Sequence, residues 1–389
     1  MDNNGVTVSD RIDILVVGGG VVGLSAAIAM RQRGLSVALL DASKRPPIPN
    51  KRVYALNHAS QSLLRSLGVW DHIDSSSLSP YRQMHVWDAV NGAHLDFDAR
   101  VLGKSELGSI LEEAVLKEAL LQQCAADGVV IYARTRAETL SLEPEGVTVH
   151  SDSRDFQTRL LIVADGPNSA TRTQLKVPVT TWPYHQHAIV ATVQTKKPHG
   201  ETAFQVFNPD GPLAFLPLAD AHHCSVVWST SPANAGALLQ LTDEAFGDAL
   251  TAAFGCTLGE SRLISPRQHF PLHMRHVKAY RGERWILMGD AAHSLHPLAG
   301  LGLNLGLADL KAWISLLDDR KQDLCSARTL GAYERERKSA LWQTIALLEG
   351  IKLIFENPLP PITALRGIGL HALNRLPWIK RFMMEHAAG

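Results

Sequence analysis

The chain has 389 residues, of which 46% are hydrophobic and 20% are charged, as is usual for a globular protein and unlike a disordered, collagenous or coiled-coil chain. A single hydrophobic core seldom grows past about 250–300 residues, so we expect two domains. Basic and acidic residues number 38 each, which gives zero net charge. No overall field attracts a phosphate backbone, and nucleic acid is therefore not an expected partner.

The cysteines and the apolar runs indicate the compartment. Cys124, Cys224, Cys256 and Cys325 contain no C-x-x-C pair and no zinc or iron–sulfur spacing, so they are predicted to be reduced thiols. The N-terminus lacks the basic region of a signal peptide, and no apolar stretch approaches about 18 residues. A cytoplasmic protein, soluble or at most peripheral to a membrane, is expected.

The N-terminal half begins with a strand–helix–strand unit. Ile12–Val17 is a β-branched run typical of a buried parallel strand, Val21–Arg33 is an Ala-rich helix, and Ser36–Leu40 is a second strand that ends at Asp41. The elements predicted next are a helix over Asn57–Leu67, a hairpin of Met84–Trp87 and His94–Phe97, a helix over Leu107–Ala126, a meander of Val129–Tyr132, Ala137–Leu142 and Val147–His150, and a strand over Arg159–Ala164.

From Trp182 onward the pattern changes to alternating strands, which predicts a separate antiparallel sheet. Its expected strands are Ala188–Gln194, Thr202–Phe207, Ala214–Leu218 and Cys224–Ser229. A helix over Thr242–Phe254, a buried strand over Arg284–Met288 and a helix from Asn304 follow. The tail after Leu341 mixes apolar and basic residues, which is compatible with packing helices or with an interfacial surface for a membrane or an apolar partner.

These elements predict an α/β protein, α+β overall. A Rossmann-like domain is expected over residues 1–80, 101–181 and 268–340. An inserted antiparallel-sheet substrate domain is expected over residues 81–100 and 182–267, and C-terminal helices over 341–389.

The glycine-rich turn after the first strand is the first chemistry-bearing motif. Gly18–Gly23 reads G-x-G-x-x-G, with Val22 in the last variable position. In such a motif Gly18 permits a tight turn, Gly20 lets a pyrophosphate approach the backbone, and Gly23 lets helix and strand pack closely. The helix N-terminus offers free N–H donors and a partial positive charge, and Asp41 can accept hydrogen bonds from ribose hydroxyls. The motif predicts a dinucleotide site without deciding between NAD and FAD.

Two later motifs favour FAD. Asp165 and Gly166 follow one predicted strand, and Gly289 and Asp290 follow another. A carboxylate delivered at the carboxyl end of a parallel strand faces the ligand crevice, where a ribityl chain offers hydroxyls to it. The glycine-rich turn Gly300–Asn304 then offers N–H groups to the polar edge of a flavin ring.

The three motifs together resemble the FAD-dependent aromatic hydroxylases, the group A flavoprotein monooxygenases. The stretches Gly289–Gly300 and Arg52–Asn57 are most similar to the ubiquinone-biosynthesis branch. The run Trp182–Val193 is most similar to the hydroxylases that oxidise ring carbon C5 of a 2-polyprenylphenol. The resemblance implies a monooxygenase that takes electrons from transiently bound NAD(P)H and reacts with O₂ and a polyprenylphenol. Other ubiquinone-biosynthesis proteins are implied as possible partners, and the oligomeric state stays open.

The resemblance also implies the site residues. The flavin carries the chemistry, so no catalytic side chain is assigned, although Pro297 and His293 are expected near the ring. The cofactor is expected to contact Gly18, Gly20, Val22, Gly23, Asp41, Arg52, Asp165, Gly166, Gly289, Asp290, Pro297, Gly300, Gly302, Leu303 and Asn304. The candidate substrate-lining residues are His187, Phe204, Gln205, Phe215 and Trp228. His187 could equally face the core, and ordinary sheet core is the more common place for each of the other four. Pairs of histidines such as His293 and His296 lack a third ligand, so no metal is expected.

Two positions depart from the branch pattern. Leu301 stands where glutamine is usual, and Glu113 stands where asparagine is usual. A negative charge at Glu113 beside FAD would disfavour an anionic reduced flavin. These departures keep open an alternative function, an FAD-binding assembly subunit of a quinone-biosynthesis complex with little activity of its own. Hydroxylation of a different ring carbon, or of a small aromatic, is a further alternative.

Overall fold

A computed structural model describes residues 11–43, 52–296, 300–320 and 323–356, together with Gly369 and Asn374. Its strands are β1 Ile12–Val17, β2 Val37–Asp41, β3 Val53–Asn57, β4 Ser79–Tyr81, β5 Gln83–Asp88, β6 His94–Asp98, β7 Gly108–Glu112, β8 Val130–Ala133, β9 Ala137–Glu143, β10 Gly146–Ser151, β11 Asp155–Val163, β12 Val179–Thr195, β13 Thr202–Asn208, β14 Gly211–Pro217, β15 His223–Thr230, β16 Ser261–Leu263, β17 Gln268–Val277, β18 Trp285–Leu287 and β19 His293–Ser294. Its helices are α1 Val21–Gln32, α2 His58–Ser66, α3 Glu113–Ala126, α4 Ala170–Gln174, α5 Pro232–Gln240, α6 Asp243–Ala253, α7 Leu301–Arg320 and α8 Ala327–Glu356.

The first sheet is largely parallel and carries the N-terminal strand–helix–strand unit. Strands β8, β2, β1 and β11 run parallel in that order, and β18 lies parallel to β11. Ile14, Leu15 and Val16 are fully buried, which explains why β1 reads as an unbroken apolar run. The predicted meander is partly wrong, because β8 pairs with β2 at the far edge and the actual meander is β9–β10–β11.

The second sheet is mostly antiparallel and has two differently covered faces. Its order is β19-β17-β12-β15-β14-β13-β5-β6, with β16 beside β12. One face packs against α5 and α6 around Phe215, Trp228 and Phe246. The other face lies toward β4, the segment after Asp290, and α8. The α/β class with an antiparallel sheet beside a Rossmann-like unit is as predicted from the sequence.

The proposed domain boundaries do not all follow the sheets. The hairpin β5–β6 belongs to the second sheet, in keeping with the predicted range 81–100. Strand β17 also pairs in that sheet, although the sequence division assigned 268–277 to the FAD-binding unit. Helix α8 runs without a break through residue 341, so the predicted start of a C-terminal region falls inside a helix. The division into domains stays a prediction.

The predicted helix over Leu107–Ala126 is wrong in its first part. Gly108–Glu112 forms β7, which pairs with β3 and β4 in a small third sheet, and the helix starts at Glu113. A Cβ at Gly108 would lie 2.5 Å from the Leu56 carbonyl oxygen, so only glycine fits this close approach of strands. Tertiary pairing here overrides a local pattern that suits a helix.

The C-terminal helices pack on the first unit. Helix α7 contacts α1 and α8, and the buried Trp313 and Tyr333 meet edge to face with ring centroids 5.7 Å apart. None of the described helices is long and apolar enough to cross a membrane. Most of the tail after residue 356 lies outside the described residues, so the structure does not test the interfacial reading of its sequence.

Candidate flavin site

The glycine-rich turn between β1 and α1 has the geometry that its motif requires. Gly18 has a φ of +119°, a conformation that side-chain-bearing residues rarely adopt. A Cβ at Gly23 would collide with the Gly18 carbonyl oxygen, whereas a Cβ at Gly20 would meet open space. Close packing therefore requires Gly23, and Gly20 leaves its backbone accessible to a ligand at the N-cap of α1.

This turn forms one wall of a cavity of about 400 Å³. Gly18, Gly20, Asp41, Asp165 and Gly166, all predicted cofactor residues, line it together. They come from the carboxyl ends of β1, β2 and β11, which meet at one edge of the parallel sheet. The Asp41 carboxylate accepts hydrogen bonds from the backbone N–H of Ser43 at 3.0 Å and from its hydroxyl at 2.8 Å. Its remaining acceptor capacity suits ribose hydroxyls.

The carboxylate of Asp165 has one oxygen that the described residues leave unused. Its Oδ2 accepts a hydrogen bond from the Thr171 backbone N–H at 3.2 Å, while Oδ1 is buried without a partner among the described residues. An unpartnered buried acceptor costs about 1–3 kcal/mol, so the site is suited to a ligand that brings a donor.

Two basic residues on this cavity were missed by sequence reasoning. Lys117 lies on α3, and Arg136 follows the edge strand β8. Their side chains can balance the charge of a pyrophosphate. Lys117 stands one helical turn after Glu113, on a helix expected to pass the cofactor. This spacing was a sequence signal from which Lys117 could have been predicted. Arg136 was missed because β8 was predicted to belong to an antiparallel meander. Had β8 been predicted as a parallel strand, Arg136 would have been expected at the edge of the sheet where the ligand binds.

A second group of charges surrounds Asp290. Arg52 Nε lies 3.9 Å from Glu113 Oε2, and its guanidinium lies 5.1 Å from the centroid of the Tyr54 ring. Burial raises the pKa of Asp290; Asp309 and Glu113 add to the rise, and His293 and Arg52 oppose it. The negative charge of Glu113, which was expected to disfavour an anionic reduced flavin, is thus paired with the positive charge of Arg52.

A buried carboxylate on α7 accepts a hydrogen bond from the Gly289–Asp290 turn and fixes its position. Asp309 is fully buried; its Oδ2 accepts hydrogen bonds from the Gly289 backbone N–H at 2.9 Å and from His293 Nε2 at 2.7 Å. Its Oδ1 accepts from Arg337 Nε at 2.6 Å. His293, predicted near the ring, thus has a ring nitrogen committed to positioning this turn. Gly289 has a φ of +59° and packs against Val22, a predicted cofactor residue that lies in this interface.

The comparisons with known proteins agree with this geometry. Residues 11–347 match the family of FAD binding domains. The ubiquinone biosynthesis monooxygenase COQ6 of Xenopus tropicalis is 34% identical over 97% of this chain and 93% of its own length. The 3-demethoxyubiquinol 3-hydroxylase of Escherichia coli is 33% identical over 97% of this chain and 98% of its own. The crystal structure of p-nitrophenol 4-monooxygenase PnpA from Pseudomonas putida superimposes with a TM-score of 0.81 at 19% identity, covering 97% of each chain.

The chain belongs to the FAD-binding monooxygenases. This family includes hydroxylases of ubiquinone biosynthesis, and the protein is an FAD-dependent aromatic monooxygenase. FAD is its cofactor, and NAD(P)H is the electron donor typical of the family. The open backbone at Gly20, the unpartnered Asp165 Oδ1 and the two basic residues on the cavity fit a flavin dinucleotide.

The turn that a monooxygenase of this family would present to the flavin ring is braced by Asn304. Its Oδ1 accepts hydrogen bonds from Asn57 N–H and Ser60 Oγ, and its Nδ2 donates to the carbonyls of Ala55 and Gly300. The Asn304 side chain therefore holds the turn and leaves only its backbone for a ligand. A Cβ at Gly302 would meet open space, Leu303 packs on the core, and Pro297 lies outside the described residues.

The other departure from the family pattern, Leu301, has a packing role. It contacts an apolar cluster with Phe207 of the second sheet and Leu348 of α8. A leucine here extends the contact between the flavin-site turn and the C-terminal helix, and this accounts for an apolar residue at the position.

The predicted substrate residues do not come together at a cavity. Phe215 and Trp228 lie in the core between the second sheet and α5 and α6, and Phe204 packs against that core. His187 stacks on His269 with centroids 6.2 Å apart. Gln205 alternates with Phe204 and so points to the opposite face, yet it lines neither cavity described here. The face with a cavity is the one bearing Phe207, where α8 covers the sheet.

Proposed function

We propose that this monooxygenase hydroxylates the aromatic ring of a polyprenylphenol in ubiquinone biosynthesis, at carbon C5 of a 2-polyprenylphenol. The observation that carries the proposal is the end-to-end likeness to relatives named for ubiquinone biosynthesis, above 30% identity over nearly the whole chain. The choice of C5 rests on the resemblance of the Trp182–Val193 run described above.

When bound, FAD would supply the redox chemistry, for which NAD(P)H is the reductant and O₂ the oxidant. The chain supplies binding and orientation. The turn at Gly18–Gly23 would hold the pyrophosphate, Asp41 the ribose, and Asp290 the ribityl chain. Arg52, paired with Glu113, balances charge beside Asp290.

The polyprenyl tail of such a substrate resides in a membrane, so the enzyme is expected to be cytoplasmic with peripheral membrane contact. Three large apolar side chains on α8 are well exposed: Trp342 at 50%, Leu347 at 58% and Leu353 at 72%. Large apolar side chains that are exposed on a helix can enter the boundary between lipid headgroups and acyl chains. We assign this contact to the C-terminal half of α8.

A second ring position has specific support, because the Escherichia coli relative is named a 3-demethoxyubiquinol 3-hydroxylase. The test is complementation of bacterial strains that each lack one ring hydroxylase, with mass analysis of the quinone intermediates. Restored ubiquinone in the C5-deficient strain alone supports the proposal. Rescue only of the strain that accumulates demethoxyubiquinol would move the assignment to that position. Rescue of no strain, despite a flavin-loaded protein, would refute a role in this biosynthesis.

A further inference from the structure

A small cavity lies where α8 covers the second sheet. It has a volume of about 20 Å³. Its polar wall consists of Tyr184 and Gln186 from β12, Asn208 from β13, His296, and Glu349 and Lys352 from α8. A cavity of this size holds about one water molecule, and hence one hydroxyl group.

Three polar atoms on this wall are buried without a hydrogen-bond partner among the described residues. They are the Tyr184 hydroxyl, Asn208 Nδ2 and His296 Nδ1. Tyr184 is only 7% exposed and His296 only 3%. Buried polar groups in native proteins are nearly always paired, so three unpaired groups around one hydroxyl-sized space indicate a bound polar group.

The hydrogen-bonding character of the wall follows from its neighbours. His296 Nε2 lies 3.0 Å from Gln186 Oε1, which only accepts, so Nε2 carries the proton and Nδ1 is an acceptor. Burial and the nearby Lys352 lower the pKa of His296 to about 4, which keeps the ring neutral at pH 7. Burial raises the pKa of Tyr184 to about 12, and the charge of Glu349 adds to the rise, so the hydroxyl keeps its proton and can donate it to Glu349 or to a bound group. Among the three unpaired atoms, His296 Nδ1 is therefore an acceptor, and the Tyr184 hydroxyl and Asn208 Nδ2 are donors.

A phenolic hydroxyl matches this set, since it donates one hydrogen bond and accepts others. We propose that the cavity binds the phenolic hydroxyl of the substrate, with His296 Nδ1 accepting its hydrogen bond and Tyr184 and Asn208 donating to its oxygen. The inference rests on the proposed function, which supplies a phenol as substrate. His296 lies on the segment that continues from Asp290, so a hydroxyl anchored there fixes which ring carbon is presented to the flavin.

The test is equilibrium binding to the FAD-loaded protein without NAD(P)H, followed by the change in flavin absorbance. The probes are 2-(3-methylbut-2-enyl)phenol and its methyl ether, which cannot donate to Nδ1. The wild-type protein is expected to prefer the phenol by about tenfold, the effect of one well-made buried hydrogen bond. Equal binding of phenol and ether would overturn the proposal.

A matched pair of substitutions isolates Nδ1. The amide of asparagine reaches the position of Nδ1 and that of glutamine the position of Nε2. His296→Gln should therefore lose the preference for the phenol, and His296→Asn should retain most of it. Retention of the tenfold preference in His296→Gln would contradict the assignment. Tyr184→Phe provides a second route if either variant fails to fold, with about fivefold weaker phenol binding expected and unchanged binding as the contrary result.

His199→Gln is the control, because His199 is also a buried histidine, 6% exposed, with Nε2 3.0 Å from the carbonyls of Leu218 and Asp220. It should keep the preference for the phenol. Since no turnover occurs in this assay, the two proposals fail separately. If the wild-type protein binds the phenol and the methyl ether equally well, the cavity assignment is overturned even if complementation succeeds. A preserved preference with no complementation overturns only the biosynthetic role.

Discussion

Replacing Asp309 with asparagine should destabilise the protein and lower its affinity for FAD. Asp309 has no exposed surface, and it accepts hydrogen bonds from the Gly289 N–H, from His293 and from Arg337, which is itself only 6% exposed. The substitution keeps the shape but leaves the Arg337 charge buried without a counter-ion. Breaking a buried pair in this way costs about 3–5 kcal/mol, far more than losing a surface salt bridge.

The assay is urea unfolding of the FAD-free protein together with titration of FAD. The free energy of unfolding should fall by about 3–5 kcal/mol. FAD should bind more weakly, because one carboxylate oxygen becomes an NH₂ group that cannot accept a hydrogen bond, and the support that Asp309 gives to the turn carrying Asp290 weakens. A double variant, Asp309→Leu with Arg337→Met, removes both charges and should recover part of the lost stability. A loss below about 1 kcal/mol with unchanged FAD affinity would refute the reasoning.

The pH dependence of stability provides an independent check. Although burial raises it, His293, Arg337 and the Gly289 N–H together hold the pKa of Asp309 below its ordinary value of 3.8. A carboxyl whose pKa is lower in the fold stabilises the fold above its unfolded pKa, and loses that effect as pH falls through the folded value. The stabilisation is thus complete above about pH 5 and declines in acid. Asp309→Asn should flatten the acid limb of the stability profile.

Three further predictions follow from the same geometry. Gly20→Ala should leave the free energy of unfolding unchanged and weaken FAD binding, whereas Gly23→Ala should lower the free energy of unfolding. The reason is that only the Cβ at Gly23 collides with the backbone. Denaturation measures the first effect and flavin titration the second. Glu113→Gln should raise the flavin reduction potential by about 10 mV, the equivalent of about 0.5 kcal/mol for a half-exposed charge in a two-electron couple. Leu347→Ser with Leu353→Ser should reduce co-sedimentation with anionic vesicles, because both side chains are well exposed on α8.

Each of these predictions has a result that contradicts it. Equal FAD affinity in Gly20→Ala would show that the ligand does not approach that backbone. A lower reduction potential in Glu113→Gln would contradict the charge argument. It would mean that Arg52, no longer paired with residue 113, moves away from the flavin. Undiminished vesicle binding in the double serine variant, with the exposed Leu142→Ser on β9 as its control, would place any membrane contact elsewhere.

Local sequence determined the features that depend on local chemistry. The turn after β1 needs a positive φ at Gly18 and no Cβ at Gly23, so glycine spacing alone predicted it. The parallel strands β1 and β2 are buried on both faces and read as apolar runs. Asp41 ends a strand, Asp165 and Asp290 follow strands, and a strand's carboxyl end is a position that topology assigns to ligands. The family and its cofactor could be recognised for the same reason.

Tertiary structure alone decided which face of the second sheet meets the site. Phe204, Phe215 and Trp228 look like lining residues, but both faces of this sheet are covered, so alternation cannot tell one face from the other. The small cavity brings together Tyr184, Asn208 and His296, which are distant in the chain, and no local pattern predicts that they meet.

The same limit explains β7 and β8. The residues of β7 would continue the following helix by local preference, and only pairing with β3 and β4 makes them a strand. Strand β8 resembles its neighbours β9 and β10 in sequence, yet it pairs with β2 on the other side of the sheet. Backbone hydrogen bonding between distant segments outweighs local propensity, and a single chain's residue pattern does not record which segments will meet.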